Sequence, residues 1–110
     1  MHKTIIFLLK NPLDITLFAS ISHLTLQESY EVIDENTLKT PEGMIYFDYL
    51  ITDNVDNVRC LNLAQENKML LTNFFLQTST ENIYALSPAT NCSLAISEQL
   101  LRIYEDLTTK

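Results

Sequence analysis

Several residues of this sequence, most of them polar, stand directly after apolar runs, where a strand would end. In chain order they are Lys10, Asn11, Asp48, Thr72, Ser87 and Pro88. The Asp48 carboxylate could bind a cation, or pair with the Lys10 ammonium group, if the fold brought the two together. Whether these groups meet depends on how the apolar runs before them are arranged.

Other residues of catalytic or ligating type form no recognisable site. His2 and His23 lie far apart and have no ligand cluster at metal-binding spacing, so we predict no metal site and a solvated His23 on the first helix. Asp34 and Glu35 form an acidic pair, which we interpret as a solvated loop or a displaced cation site. The single glycine excludes the usual nucleotide-binding loops, and the serines lack the GxSxG pattern of many hydrolases.

Cysteine usage and the absence of targeting signals indicate the compartment. Cys60 and Cys92 show no CxxC pattern, so we expect two small core thiols in a reducing cytoplasm, with a disulfide or redox pair as the alternative. The apolar run Ile5–Leu9 is too short for a signal peptide and is predicted to be a buried strand. No stretch approaches the roughly 20 apolar residues of a membrane span. We therefore expect a cytoplasmic protein without membrane contact.

Composition favours a single domain over residues 1–110. Apolar and aromatic residues make up 46% of the 110, which is enough for one packed core and not for two. Seven basic and 14 acidic residues give a net charge of −7. Because most of this surface would repel a phosphate backbone, we expect no nucleic-acid contact by these residues themselves.

Apolar runs and amphipathic stripes alternate along the chain. The runs predict five strands, at Lys3–Leu9, Tyr30–Asp34, Met44–Ile51, Lys68–Leu76 and Ile83–Leu86. A helix after the first run is predicted from Leu13, Leu17, Ile21 and Leu24, and a short one begins at Asp53-Asn54. A long helix from Asn91 onward carries a stripe of Cys92, Ile96, Leu100, Ile103 and Leu107.

This alternation predicts an α/β fold. Buried strands joined by helices form a parallel sheet covered on both faces by right-handed crossovers. The specific expectation is a flavodoxin-like three-layer sandwich with a five-stranded parallel sheet of order 2-1-3-4-5. In such a sheet the residues after each strand meet at the carboxyl edge, so Lys10, Asp48, Thr72 and Ser87 are expected to lie together.

At these strand ends the sequence resembles a response-regulator receiver domain. The matching segments are IYFD ending at Asp48, MLLT ending at Thr72, and YALSP from Tyr84 to Pro88. The resemblance implies that Asp48 is the equivalent of the phosphoacceptor and Thr72 of the conserved hydroxyl. It also makes Tyr84 the switch aromatic and Pro88 the proline that follows the receiver lysine. Thr72 and Tyr84 are equally explained as ordinary strand residues.

The sequence departs from the receiver pattern where Mg²⁺ would bind. Lys10 and Asn11 replace the acidic pair of receivers, and Ser87 replaces the lysine. With Asp48 as its only charged ligand, a divalent cation would be held poorly, so we expect the phosphorylation chemistry to be absent. Three interpretations of Asp48 stay open: a strand-end carboxylate bonded to the backbone, an ion pair with Lys10, or a true phosphoacceptor.

Degenerate receivers of this kind resemble the N-terminal domains of LuxR-type transcription regulators, especially the curli and biofilm subgroup. The segments that carry this likeness are Met44–Tyr49 and Ile83–Leu86, the latter followed by a long helix. The resemblance implies signal transduction, with DNA contacted only through a C-terminal domain that these 110 residues do not contain. Because the segment from Thr72 to Tyr84 is short, the fourth helix is expected to be short or missing.

The surface of the last helix completes the prediction. Leu94, Leu101 and Tyr104 fall off the main stripe and predict a dimer or partner contact, or else a wider stripe that packs on the sheet. We expect a non-enzymatic, receiver-like regulatory domain without cofactor, acting through dimerisation or the binding of a partner or ligand. The alternative is a free-standing acidic interaction module, such as an inhibitor or antitoxin-like protein, for which the net charge of −7 suits a basic partner.

Overall fold

A parallel sheet of four strands runs through the centre of the protein. The computed structural model describes residues 4–10, 13–19, 23–26 and 30–109. Within them the elements are β1 (Ile5–Leu8), a first 3-10 turn (Thr16–Phe18), β2 (His23–Leu26), β3 (Glu31–Asp34), β4 (Thr37–Thr40), β5 (Gly43–Tyr46), β6 (Tyr49–Thr52), a second 3-10 segment (Val55–Leu61), β7 (Gln65–Glu66), β8 (Met69–Leu70), β9 (Ile83–Ala85) and α1 (Ile96–Thr108). The parallel sheet has the order β2-β1-β6-β9.

Both the inner strand β1 and the edge strand β9 of this sheet are apolar, because both of their faces are covered. All four residues of β1 are buried, and so are all three residues of β9. Side chains of successive strand residues point to opposite faces, so Ile6 and Leu8 enter one core and Ile5 and Phe7 the other. The predicted buried strands at the first and last apolar runs are confirmed.

One face of the sheet is covered by α1 and the first 3-10 turn. Leu100, Ile103 and Leu107 of α1 are buried against this face, and Cys92 and Ile96 pack beside them. The predicted apolar stripe is therefore confirmed from Ile96 to Leu107, whereas Cys92 precedes the helix. Phe18 closes the same core: its ring lies edge-on to the ring of Phe7, with centroids 5.0 Å apart.

The other face is covered by an antiparallel meander of β3, β4 and β5, together with the second 3-10 segment and the β7–β8 hairpin. Val32 and Leu38 of the meander and Val58 of the 3-10 segment are buried in one cluster with Leu50 and Leu70. The meander turns at Pro41 and Glu42, and Gly43 follows with a positive φ of 132°. That backbone angle is easily adopted by glycine and rarely by other residues.

The α/β class and the parallel sheet are as expected, but the five-stranded order is wrong for the described residues. Residues 23–26, predicted to end the first helix, form β2 and pair in parallel with β1. Tyr30–Asp34, predicted as the second parallel strand, instead supplies β3 of the meander. The leucines at 13, 17, 24 and 26 fit both a helical and an alternating period, and pairing with β1 favours the strand for the last two.

Two further runs do not form the single strands that were predicted. Met44–Ile51 is divided at Phe47 and Asp48 into β5 and β6, which belong to different sheets. In Lys68–Leu76 only Met69–Leu70 is a strand, and it pairs antiparallel with β7. Asn67 and Lys68, with φ of 54° and 65°, form the tight turn of that hairpin. The predicted fourth parallel strand is thus a hairpin packed on the sheet.

Helix content is low between the sheet strands. Residues 73–82 contain turns and no helix, which agrees with a fourth helix that is short or missing. The last helix begins at Ile96 rather than at Asn91. Within the described part of the chain, no helix combines the length and the apolar character that crossing a membrane would need.

Candidate functional site

Lys10 and Ser87 lie at the carboxyl edge of the parallel sheet, as predicted, together with Asp53, which was not predicted there. Lys10 follows β1, Asp53 follows β6 and Ser87 follows β9. The backbone N–H of Lys10 donates to Asp53 Oδ1 over 2.7 Å. Asp53 is only 4% exposed, so this hydrogen bond joins the ends of the two central strands inside the protein. Asp53 is therefore the carboxylate that this fold places at the end of its third parallel strand.

Asp48 lies at the opposite, amino edge of the sheet. The backbone N–H of Thr4 donates to Asp48 Oδ2 over 2.7 Å, and the N–H of Asp48 donates to the carbonyl of Thr4 over 2.9 Å. The sequence-based placement of Asp48 beside Lys10 is therefore wrong. Of the three interpretations of Asp48, the structure agrees with a carboxylate that is hydrogen-bonded to the backbone. This carboxylate stands at the start of β6, however, and not at the end of a strand.

A buried glutamine fixes the end of β9. Gln99 on α1 is fully buried. Its Oε1 accepts from the backbone N–H of Ser87, and its Nε2 donates to Ser87 Oγ, each over 3.0 Å, and to the carbonyl of Leu94 over 2.8 Å. Since all of these partners would otherwise need water, Gln99 is the residue that attaches this loop to the helix. Pro88, the next residue, is exposed.

Thr72 lies next to a small polar cavity and not beside Asp48. Its Oγ1 is 3.0 Å from Thr90 Oγ1, and Thr90 in turn donates to the carbonyl of Leu70 over 2.8 Å. The two threonines line a cavity of about 250 Å³ together with residues of the β7–β8 hairpin, including Glu66 and Asn67. The hydroxyl that the resemblance equates with the conserved receiver hydroxyl is thus part of a hydrogen-bond chain among neutral groups.

Tyr84 is a core residue of β9. It is fully buried, and its hydroxyl donates to a carboxylate oxygen of Asp106 on α1. Burial, and then the hydrogen bond to Asp106, raise the pKa of the Tyr84 hydroxyl above its ordinary value. Tyr49 lies beside it, with ring centroids 6.4 Å apart. The expected switch aromatic therefore connects the sheet to α1.

The three predicted interface residues have different environments. Leu94 precedes α1 and is half-buried, so the helical spacing that linked it to the other two does not apply. Leu101 is 38% exposed. Tyr104 is half-buried and packs edge-on against Phe18, with ring centroids 5.4 Å apart. Tyr104 thus extends the core, which agrees with the alternative that a wider apolar stripe of the helix packs on the sheet.

The remaining predicted residues are only partly within the described part of the chain. Asn11, His2 and the side chain of His23 lie outside it; the backbone of His23 begins β2 rather than lying on a helix. Asp34 and Glu35 are exposed at the β3–β4 turn. Among the described residues, no group of three or more histidine, cysteine, aspartate or glutamate side chains is placed to hold a metal ion.

The thiols differ from the expected pair of core cysteines. Cys60 and Cys92 are both free, and Cys92 is half-buried while Cys60 is exposed. Cys60 Sγ donates to Glu31 Oε1 over 2.8 Å, and this hydrogen bond raises the pKa of the thiol. A raised pKa keeps the thiol protonated and therefore poorly nucleophilic, so Cys60 contributes a surface hydrogen bond rather than a reactive group.

Large apolar side chains are exposed on the outer face of the meander. Tyr46 is 71% exposed and Met44 is 50% exposed, and Ile33 is exposed on the neighbouring part of the same face. Exposed apolar side chains that lie near one another can mark a surface that a partner covers. This face was not predicted because Met44–Ile51 was assigned to a buried strand, and the consecutive apolar residues Met44, Ile45 and Tyr46 carry no alternating pattern that would mark one side as exposed.

The carboxyl edge of the parallel sheet and the outer face of the meander have different chemical character. At the carboxyl edge Asp53 and Gln99 hold backbone groups in place, whereas the outer face presents apolar surface to solvent. No model of a known protein family matches the chain, and no curated protein matches its sequence.

Proposed function

We propose that this chain is a non-enzymatic, receiver-like regulatory domain that acts by associating with another protein or with a second copy. The observation that carries the proposal is the exposed apolar face of the meander. On this face, the side chains of Tyr46 and Met44 on the edge strand β5 are exposed to solvent. Apolar surface of this kind is stabilised when a partner removes it from water.

The receiver-like part of the proposal is supported by the parallel sheet. Its first three parallel strands have the order second, first, third, as in flavodoxin-like folds. Lys10, Asp53 and Ser87 follow the first, third and last parallel strands, so Asp53 takes the place that the resemblance gave to Asp48. The LuxR-type curli and biofilm regulators are the subgroup proposed, with any DNA contact made by a separate domain.

The residues at the carboxyl edge fit a divalent cation poorly. Asp53 is the carboxylate there, and its Oδ1 already accepts a hydrogen bond from the Lys10 backbone. The side chain that follows β1 is a lysine, which repels a cation where receivers carry acidic ligands. We therefore propose a regulatory domain that works without phosphorylation.

Beryllofluoride, a phosphoryl mimic, tests this point. We expect that adding it with Mg²⁺ leaves the amide resonances of Lys10, Asp53 and Ser87 unchanged in nitrogen-15 NMR spectra, because the cation is not held. Asp48 provides an internal control, since it lies at the other edge of the sheet. Saturable shifts at Asp53 and Ser87 that vanish in Asp53→Asn would show that the domain is a phosphoacceptor.

A free-standing acidic interaction module is the second candidate. The net charge of −7 favours it, as does the exposure of Asp34, Glu35 and Glu81 on one side of the molecule, where Glu35 and Glu81 line a common groove. Both candidates act by association and differ in whether the chain regulates a linked domain or captures a separate basic protein.

Photo-crosslinking in the cells that make the protein tests association directly. A photoreactive amino acid is placed singly at Met44, Phe74 or Leu101, three exposed apolar positions, or at the exposed polar position Thr109 as a control. We expect a covalent adduct of defined mass at Met44, because it lies on the proposed surface, and none at Thr109. Adducts at none of the three apolar positions would contradict a function by association.

A further inference from the structure

An open groove crosses the outer side of the meander. Its lining consists of residues from β3, the β3–β4 turn, β4, β5 and the end of the second 3-10 segment, and its volume is about 580 Å³. We call it the Tyr46 groove and define it by Ile33, Asp34, Glu35, Thr37, Tyr46 and Leu61. Thr37 is buried at its floor, directly opposite Tyr46 in the β4–β5 register.

The apolar part of the groove is open to solvent. Tyr46 and Ile33 are exposed, and Leu61 is half-buried. A tyrosine ring offers a large rigid contact area and loses little conformational freedom on binding, which is why tyrosines are frequent among the residues that dominate binding energy. In addition, β5 is an edge strand of the meander, so its backbone is placed to pair with an added strand.

The charged part of the groove is acidic. Asp34 and Glu35 are exposed at one end, and among the described residues that line the groove none is basic. The backbone N–H of Asn36 donates to Asp34 Oδ1 over 2.8 Å, and this hydrogen bond lowers the pKa of Asp34, so its carboxylate stays charged at neutral and mildly acidic pH. With a net charge of −7, the chain attracts a basic segment and repels an acidic one, including another copy of itself.

We propose that the Tyr46 groove binds an extended segment of another protein in which an apolar side chain is followed by a lysine or arginine. The apolar side chain covers Ile33 and Leu61, and the cation reaches Asp34 and Glu35 across the face of the Tyr46 ring, where a cation is also attracted by the aromatic quadrupole. This inference rests on the proposed function, because it names the partner chemistry for the surface through which the domain associates.

Nitrogen-15 NMR titration of the full chain with a capped peptide of alternating leucine and arginine tests the groove. We expect saturable shifts of the Thr37, Tyr46 and Leu61 amide resonances, and weaker binding at higher salt, because exposed charges are screened. Tyr46→Ser and Asp34→Asn are each expected to weaken the binding about tenfold. Asparagine at position 34 keeps an oxygen for the Asn36 amide, so this variant removes charge without removing the turn.

Leu101→Ser is the matched control, since Leu101 is exposed on α1, and it is expected to leave the titration unchanged.

Equal binding of a leucine–glutamate peptide would overturn the inference. The same shifts on concentrating the protein alone would also overturn it, because they would place a second copy in the groove. If the arginine peptide does not bind while adducts still form at Phe74 or Leu101, the groove is refuted and the proposed function stands. If no crosslinking position gives an adduct, the proposed function itself is refuted.

Discussion

Replacing Phe18 with alanine is expected to lower the free energy of unfolding by about 4 kcal/mol, the usual cost of deleting a fully buried phenylalanine ring. Phe18 lies in the first 3-10 turn, is completely buried, and contacts the rings of Phe7 on β1 and Tyr104 on α1. Its removal leaves a cavity between the sheet and the helix that these rings cannot fill without leaving their own positions. Urea denaturation followed by circular dichroism measures the loss.

Leu17 supplies the matched control for this prediction. It is the preceding residue of the same turn and is 41% exposed, so Leu17→Ala is expected to cost much less than Phe18→Ala. Similar losses for the two variants would mean that the turn does not enter the core as described. Tyr104→Ser should also lower the free energy of unfolding, since Tyr104 packs on Phe18, and by more than Leu101→Ser at the exposed Leu101.

The sequence was a good guide wherever one pattern alone was possible. The continuous apolar run at Ile5–Leu8 has no helical period, and it forms the central buried strand. The stripe from Ile96 to Leu107 has no strand-like alternation, and it forms the helix that covers one face. In both cases the local pattern and the tertiary environment favour the same element, which is the condition under which a pattern decides.

It was a poor guide where two patterns overlapped or a single residue divided a run. Residues 23–26 fit a helical stripe, and only pairing with β1 makes them a strand. The run Met44–Ile51 reads as one buried strand because nothing local marks the change of sheet at Phe47 and Asp48. At that change of sheet, the Asp48 side chain and backbone both form hydrogen bonds with the backbone of Thr4, 44 positions away, and no local pattern contains such a contact.

The division of Met44–Ile51 into two strands also explains why Asp48, and not Asp53, was predicted to lie at the carboxyl edge of the sheet. A residue at which a parallel strand ends lies at the carboxyl edge, and Asp48 was predicted to be such a residue. In the structure β6 begins directly after Asp48 and ends directly before Asp53, so Asp53 lies at the carboxyl edge. Lys10 and Ser87 were placed correctly, since the strands before them were. The exposed face with Tyr46 was lost for the same reason, because a residue assigned to a buried strand is not considered as surface.

Asp53→Ala is expected to lower the free energy of unfolding by about 2 kcal/mol, because it removes a charged acceptor from a backbone N–H at the edge of the core. The affected hydrogen bond runs from Lys10 N–H to Asp53 Oδ1 and joins β1 to β6. Its loss should also speed hydrogen exchange of the Lys10 amide, which native-state exchange followed by NMR detects.

Two variants separate this effect from a general loss of charge. Asp53→Asn keeps an oxygen acceptor and is expected to cost less than Asp53→Ala. Asp48→Ala removes a carboxylate that is exposed at the amino edge, so it is expected to cost less than Asp53→Ala and to leave exchange at Lys10 unchanged. If Asp48→Ala were the more damaging of the two, or if it alone exposed the Lys10 amide, Asp48 and not Asp53 would stand beside Lys10, and the receiver-like position would return to the residue that the sequence pattern first indicated.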